Sequence, residues 1–458
     1  MNRIFSGHWN AYIFIILTSV MSMIAVASLP FKIKPFGDDT FHEESRDLAL
    51  FLKGQFDASN VRITKAPGPV LFYTPAYFFA PSGSDDETLW FYGVAMTTIL
   101  LTVSMLLLYR SALALFSRKT ALLTVLLFLV FPIHCYYSLG IVGEVPAFFS
   151  MSLAIFGWSR CVENPNRSRG YWLIALGLLL LVLNRPNAML VLCCIPLVMA
   201  YSYIWAKPFF YRHSRRLAAV FTAVLILGIS CLQVAKSISG PDKSYTQETL
   251  LYYVLHEGRF QFREEPLDWR YWESTNRPDS RDYLNWKQSH RELHEVMANS
   301  GRVYKDVYRE WLVADALDNP GLLIRQFFVK VAFGHVYIVN SVTPQNFSMG
   351  PFKGPAAYYA LHAVINLVNL AIVTGMLIFL FSEKNHLRVW LLWSAILALI
   401  AFHALSYMEP RYLFPSKAAL HILAAAGLMR IGAVASLMNR LERIFYPQTQ
   451  PVWKTQNP

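Results

Sequence analysis

Charge is scarce in this sequence. Asp, Glu, Lys and Arg make up 15% of the residues, against about 25% in soluble domains. Carboxylates are the rarer sign, 29 against 41 cations, and the net charge is +12. Cysteine is rare as well. Cys135, Cys161, Cys193, Cys194 and Cys231 all lie in or beside apolar segments, so neither a disulfide framework nor a zinc cluster is expected. The sequence has no Walker loop, dinucleotide fingerprint or internal repeat, which leaves a nucleotide-hydrolysing pump without support. No alternating polar–apolar run argues for a β-domain.

Apolar residues are abundant, 55% of the chain, and they gather into runs near the roughly 20 residues that cross a bilayer. The chain therefore reads as an all-α polytopic membrane protein. Its spans are expected near 11–30, 89–109, 120–137, 145–161, 171–184, 188–206, 217–238, 357–382, 388–406 and 411–429. The excess cations fall in short loops, including Arg110, Arg118, Lys119, Arg160, Arg167, Arg169, Lys207, Arg212, Lys384, Arg388 and Arg430. Short basic loops stay in the cytoplasm. That explains the positive charge without a nucleic-acid partner. Ala25-Val26-Ala27 resembles a signal-peptidase site, but the apolar run before it is long for a signal peptide and favours an uncleaved first span. Both termini are then cytoplasmic.

This arrangement puts 31–88, 138–144, 184–187, 239–356 and 407–410 outside. Unusual ionisable residues cluster in or beside them: Asp38, Asp39 and Lys65, Glu144 in LGIVGEVPA, Arg185 in LNRPN, and Glu409 with Arg411 in SYMEPRYLFP. Such groups are costly near hydrocarbon unless paired or facing water. A snorkelling anchor explains any one of them; their gathering on one side is harder to explain that way.

Three regions follow. The first, 1–238, is a transmembrane half whose first outer loop, 31–88, is the candidate catalytic loop. There Thr40 and Glu43 have capping-box spacing, so a helix should begin just after the aspartates. Phe41, Leu48, Phe51 and Leu52 share one face of it, suited to a membrane surface. Beyond it, Pro67 and Pro69 stiffen the turn presenting Lys65. The second region, 239–356, is outside and helical, with an interfacial helix at 321–339 that would hold Arg325 and Lys330 at headgroup level. His290 and His294 there are four apart, half of a metal site; without an HExxH pattern, a solvated helix face is the better reading. The third region, 357–458, holds the last spans and a cytoplasmic tail.

Taken in order, the early acidic pair, the Lys-x-Pro-Gly element, Glu144, Asn-Arg-Pro-Asn and the late Arg-Tyr-x-x-Pro resemble the GT-C membrane glycosyltransferases. The resemblance is to the family 39-like group, which includes protein O-mannosyltransferases and lipid A aminoarabinose transferases. It covers most of 1–240 and again 315–430. It implies a polyprenyl-phosphate sugar donor, an extracytosolic active site and a bacterial inner-membrane location. By position it makes Asp38 the catalytic base, with Asp39 as the alternative. Lys65 and Arg411 become phosphate or substrate contacts, and Glu144, an acidic position near the site, joins Asp38 and Asp39 as a catalytic candidate. This chain has Asp-Asp where the family usually has Asp-Glu, and it lacks the β-trefoil insert of the protein mannosyltransferases. Glycan, lipid and protein acceptors all stay open, and so does a divalent-cation requirement; no other cofactor is implied.

The chemistry needs one general base, because a phosphate leaves without a proton at neutral pH. Arg185 and Glu409 join the substrate contacts, and in-line attack inverts the anomeric centre. A lipid-linked-sugar flippase or a non-catalytic membrane subunit is the alternative. A flippase calls for polar residues at mid-depth and broken helices, whereas 120–137 and 217–238 are nearly featureless in their centres.

The charge pattern predicts that the loops holding Asp38, Glu144, Arg185 and Glu409 share the extracytosolic side. Single cysteines placed in them, in a cysteine-free chain, should react with a membrane-impermeant maleimide. Protection of any of the four alongside the basic loops would contradict a common site.

Overall fold

A computed structural model describes residues 8–27, 36–37, 39–57, 59, 61–63, 66–81, 83–130, 140–238, 247–265, 279–335, 348–349, 352–384, 386–408 and 410–446. The fold is all-α. The first half holds α1 (Trp9–Ala27), α2 (Asp39–Leu52), α3 (Pro67–Phe79), α4 (Asp86–Leu115), α5 (Arg118–Val130), α6 (Glu144–Glu163), α7 (Arg169–Asn184), α8 (Met189–Trp205) and α9 (Lys207–Ile238). The segment expected outside the membrane supplies α10 (Gln247–Phe260), α11 (Arg281–Ser300), α12 (Tyr304–Asp318) and α13 (Pro320–His335). The chain then continues through α14 (Gly354–Ser382), α15 (Trp390–Leu405), α16 (Phe414–Leu428) and α17 (Gly432–Phe445). Strands among the described residues are two-residue pairings: β1 (Phe36–Gly37) parallel to β2 (Gly140–Ile141), and β3 (Ser348–Met349) antiparallel to β4 (Phe352–Lys353).

The described part of each of the ten expected spans falls on a helix; residues 28–30 and 131–137 of the first and third lie outside the described residues. Among the described residues six helices, fewer than the ten expected, are long and apolar enough to cross a membrane: Asp86–Leu115, Glu144–Glu163, Pro186–Trp205, Lys207–Ala235, Gly354–Ser382 and His386–Leu405. α16 and α17 pass the same test together but are bent by 104°. Trp9–Met21 and Arg169–Asn184 are shorter apolar helices.

The central contact is the antiparallel pair α6 and α7. It is set by small residues, which let two backbones approach where a hydrophobic driving force between helices is weak. A Cβ on Gly157 would lie 2.6 Å from the Ile174 nitrogen, and one on Gly177 would lie 2.5 Å from the Ala154 nitrogen. Because α6 begins at Glu144 and α7 ends at Asn184, this close pairing brings Glu144 and Arg185 to the same end of the bundle.

Three expectations need correction. α2 begins at Asp39, so Thr40 lies in its first turn rather than capping it. The near end of α2 does not lie on a membrane surface. Phe41 is buried with Val70, Tyr73, Tyr77 and Ile141, and Leu48 packs against that cluster, while Phe51 and Leu52 stay exposed. Lys330 does not reach for headgroups either. It is 2% exposed, and its ammonium donates to the Gly258 carbonyl at 2.7 Å and the Ser406 carbonyl at 2.5 Å. Arg325 is exposed as expected; residues 336–339 of that predicted helix lie outside the described residues.

Gly177→Leu should force α6 and α7 apart. Overpacking costs about 1–3 kcal/mol, so thermal unfolding in detergent should begin at a lower temperature. Gly321→Leu is the control, since nothing lies within 4 Å of a Cβ there, and it should change little. Equal melting of both variants and the parent would contradict the packing account.

Candidate functional site

The site is built where loops from four parts of the chain meet. Gly37 pairs with Ile141 in the β1–β2 ladder, which places the backbone flanking the acidic pair beside the entry to α6. That entry is fastened from two sides. Tyr73 on α3 donates its hydroxyl to the Val142 carbonyl at 2.9 Å and accepts from the Val142 amide at 3.2 Å. Thr97 on α4 donates to the Gly140 carbonyl at 2.9 Å. Burial pushes the Tyr73 phenol above its ordinary pKa, so it stays protonated and keeps donating. Gly143 then meets α2 and α3, where a Cβ would lie 3.3 Å from the Phe41 ring and 3.4 Å from Pro69. Glu144 follows as the first residue of α6, where the helix dipole favours a negative charge.

Glu144 is 7% exposed, and one of its carboxylate oxygens accepts from the Arg185 guanidinium at 2.6 Å. The pair joins the start of α6 to the residue after α7. Arg185 also sits over the Tyr412 ring, 5.2 Å from its centroid, and the His403 imidazole is stacked at 4.9 Å from the same ring. Asn187 holds His403 Nε2 at 3.2 Å. The Lys-x-Pro-Gly element arrives from the other side. A Cβ on Gly68 would lie 2.6 Å from the Asn184 nitrogen, so glycine is needed there for α3 to touch the end of α7. One donor is left over: Arg185 Nε is buried without a hydrogen-bond partner among the described residues.

The late motif is held in place by α10, α13 and the turn after α10. Besides the Lys330 bonds, the Gln261 side chain donates to the Met408 carbonyl at 2.8 Å and accepts from its amide at 2.9 Å. Gln326 donates to the carbonyls of Arg259 and Gln261, both at 2.9 Å. Gly258 packs directly on the Ser406 carbonyl. Burial pulls the Lys330 ammonium down to about 7. The position of 406–408 thus depends on α10 and α13.

Of the residues singled out in the sequence, Glu144 and Arg185 are brought into direct contact. Asp38, Lys65 and Glu409 lie outside the described residues, as do the side chains of Asp39 and Arg411; the backbone beside each is placed as above. Sequence reasoning missed Tyr73, Asn184, Asn187, His403 and Tyr412. For Tyr412 and Asn187 the signal was present, since both lie inside quoted motifs. Tyr73 and His403 are single polar residues in apolar runs and carry no local signature.

Removing one partner of a buried ion pair leaves an uncompensated charge and costs about 3–5 kcal/mol. Glu144→Ala and Arg185→Ala should each lower the unfolding temperature strongly, and the double variant should lose less than the sum of the two. Additive losses in a double-mutant cycle would contradict the pairing.

No family model matches this sequence, and no curated protein matches it significantly. The fold is shared with the oligosaccharyltransferase of Archaeoglobus fulgidus. Against its apo form the TM-score is 0.54 at 14% identity, over 97% of this chain and 53% of that one. Against the same enzyme tethered to an acceptor peptide containing the NVT sequon, it is 0.53 at 14% identity, over 97% and 52%. Against the complex with an inhibitory peptide and a dolichol-phosphate it is 0.53 at 13% identity, over 99% and 53%. At such identities the likeness concerns the fold, and this chain spans about half the length of those structures. What this chain has in common with that oligosaccharyltransferase is its all-α architecture.

Proposed function

We propose that this protein is a membrane glycosyltransferase that moves a sugar from a polyprenyl-phosphate donor to an acceptor hydroxyl on the extracytosolic face. The observation that carries this reading is the gathering of four separate motifs around Arg185, whose buried Nε–H has no partner among the described residues. A buried donor of that kind calls for an acceptor, and the oxygens of a phosphate or sugar are suited to it. The dolichol-phosphate bound to the Archaeoglobus enzyme supports a lipid-phosphate carrier.

In this reading Asp38 takes the proton of the acceptor hydroxyl as its oxygen attacks the anomeric carbon. The bond from that carbon to the phosphate oxygen breaks, the polyprenyl phosphate leaves with the electron pair, and the configuration inverts. Lys65, Arg185 and Arg411 stabilise the charge that develops on the phosphate, and Glu409 contacts substrate. Glu144 holds Arg185 in place rather than acting as the base, because its carboxylate is already engaged. Asp39 is the alternative base.

Losing a general base lowers rate by about 100- to 10,000-fold. Asp38→Asn should therefore retain thermal stability and donor binding and lose single-turnover transfer, while Asp39→Asn retains all three. Lys65→Ala should lower donor efficiency about tenfold or more, as loss of a charge-assisted bond to phosphate predicts, and Lys65→Arg should lower it less. Loss in Asp39→Asn alone would move the base by one residue. Wild-type transfer by both single variants and the double variant would overturn the aspartate mechanism.

A further inference from the structure

The outer segment carries a cluster that glycosyl transfer does not use. His290 and His294 lie one turn apart on α11, and their Nε2 atoms are 3.1 Å apart. Two imidazole nitrogens bound to one ion at about 2.0–2.1 Å, at angles between octahedral and tetrahedral, lie roughly 2.9–3.4 Å apart. The spacing found fits that range without any movement of the rings. The same spacing fits one hydrogen bond between the imidazoles, so geometry at Nε2 alone does not choose.

The surroundings favour an ion. His290 is half-buried, and its ring is walled by Tyr253 at 5.8 Å and Trp286 at 6.2 Å between centroids. Its Nδ1 lies 3.5 Å from the Tyr308 hydroxyl, which directs Nε2 toward His294; a partner on the far nitrogen is how metal-bound histidines are oriented. His294 is exposed, which leaves the approach open to solvent.

We propose that His290 and His294 form a solvent-open, two-imidazole site for a divalent transition-metal ion. Among the described residues no group of three or more His, Cys, Asp or Glu residues is placed to hold an ion, and Glu292 is engaged by the Gln288 amide at 2.9 Å. The ion keeps water in its remaining positions and exchanges readily. Imidazole donors select copper, nickel and zinc over calcium and magnesium, and the order of affinity should follow Mn²⁺ < Ni²⁺ < Cu²⁺ > Zn²⁺. Because His290 rests on Tyr253 of α10 and Tyr308 of α12, binding ties α11 to the helices it packs against and should raise thermal stability.

The test uses the full chain in detergent without a histidine tag, titrated calorimetrically with Cu²⁺, Ni²⁺, Zn²⁺ and Mn²⁺. One Cu²⁺ per chain is expected, with an electron paramagnetic resonance signal showing two coordinated imidazole nitrogens. His294→Ala replaces an exposed side chain and leaves the packed His290 in place. It should weaken binding about tenfold or more, as loss of one of two ligand bonds requires, and leave one imidazole in the spectrum. Binding of equal strength in the parent and His294→Ala, or no binding of any of the four ions, would overturn the proposal and leave the pair as a hydrogen bond only.

Discussion

The ion pair between Glu144 and Arg185 is the contact on which one end of the bundle depends. Neither charge is tolerable alone at the edge of hydrocarbon, and each is stabilised by the other. The pair in turn requires that α6 and α7 run antiparallel at close range, which Gly157 and Gly177 permit. Arg185 then fixes Tyr412 from above, and Tyr412 is stacked with His403 from the neighbouring α15. A single guanidinium thus connects the third, fourth and fifth of the sequence motifs, while Gly68 and the β1–β2 ladder bring in the first loop.

A second constraint operates from α10 and α13. Lys330, Gln261 and Gln326 satisfy backbone carbonyls at 258, 259, 261, 406 and 408. These are groups that would otherwise be buried without partners, at a cost of about 1–3 kcal/mol each. α10 and α13 are therefore part of the frame that sets the late motif, not an appendage beside it. An aromatic ring carried on that motif completes the wall of the site.

Helix positions were readable because hydrocarbon imposes long apolar runs, and the described part of each expected span is helical, though six of these helices rather than ten are long and apolar enough to cross a membrane. The gathering of the motifs was readable only as an inference from sidedness. Its physical basis, glycine-mediated helix approach and a hydroxyl from Tyr73 binding both backbone atoms of Val142, leaves no pattern in a linear sequence. Lys330 illustrates the same limit. A lysine in an amphipathic stretch reads as a snorkelling anchor, and only the tertiary fold supplies the two carbonyls that draw it inward. Phe41 was misread for a related reason: a helical face seen alone does not say whether membrane or protein covers it.

The central claim is that the four motifs form one site for a lipid-linked phosphate. Photocrosslinking addresses it most directly, with a polyprenyl phosphate carrying a photoreactive group beside its phosphate, followed by mass spectrometry of the labelled peptides. The account predicts label in peptides containing Pro67–Pro69, Asn184–Ala188 and Met408–Leu413 together, displaced by unlabelled polyprenyl phosphate. Label confined to the basic end of the bundle, near Arg118 or Arg430, would contradict it.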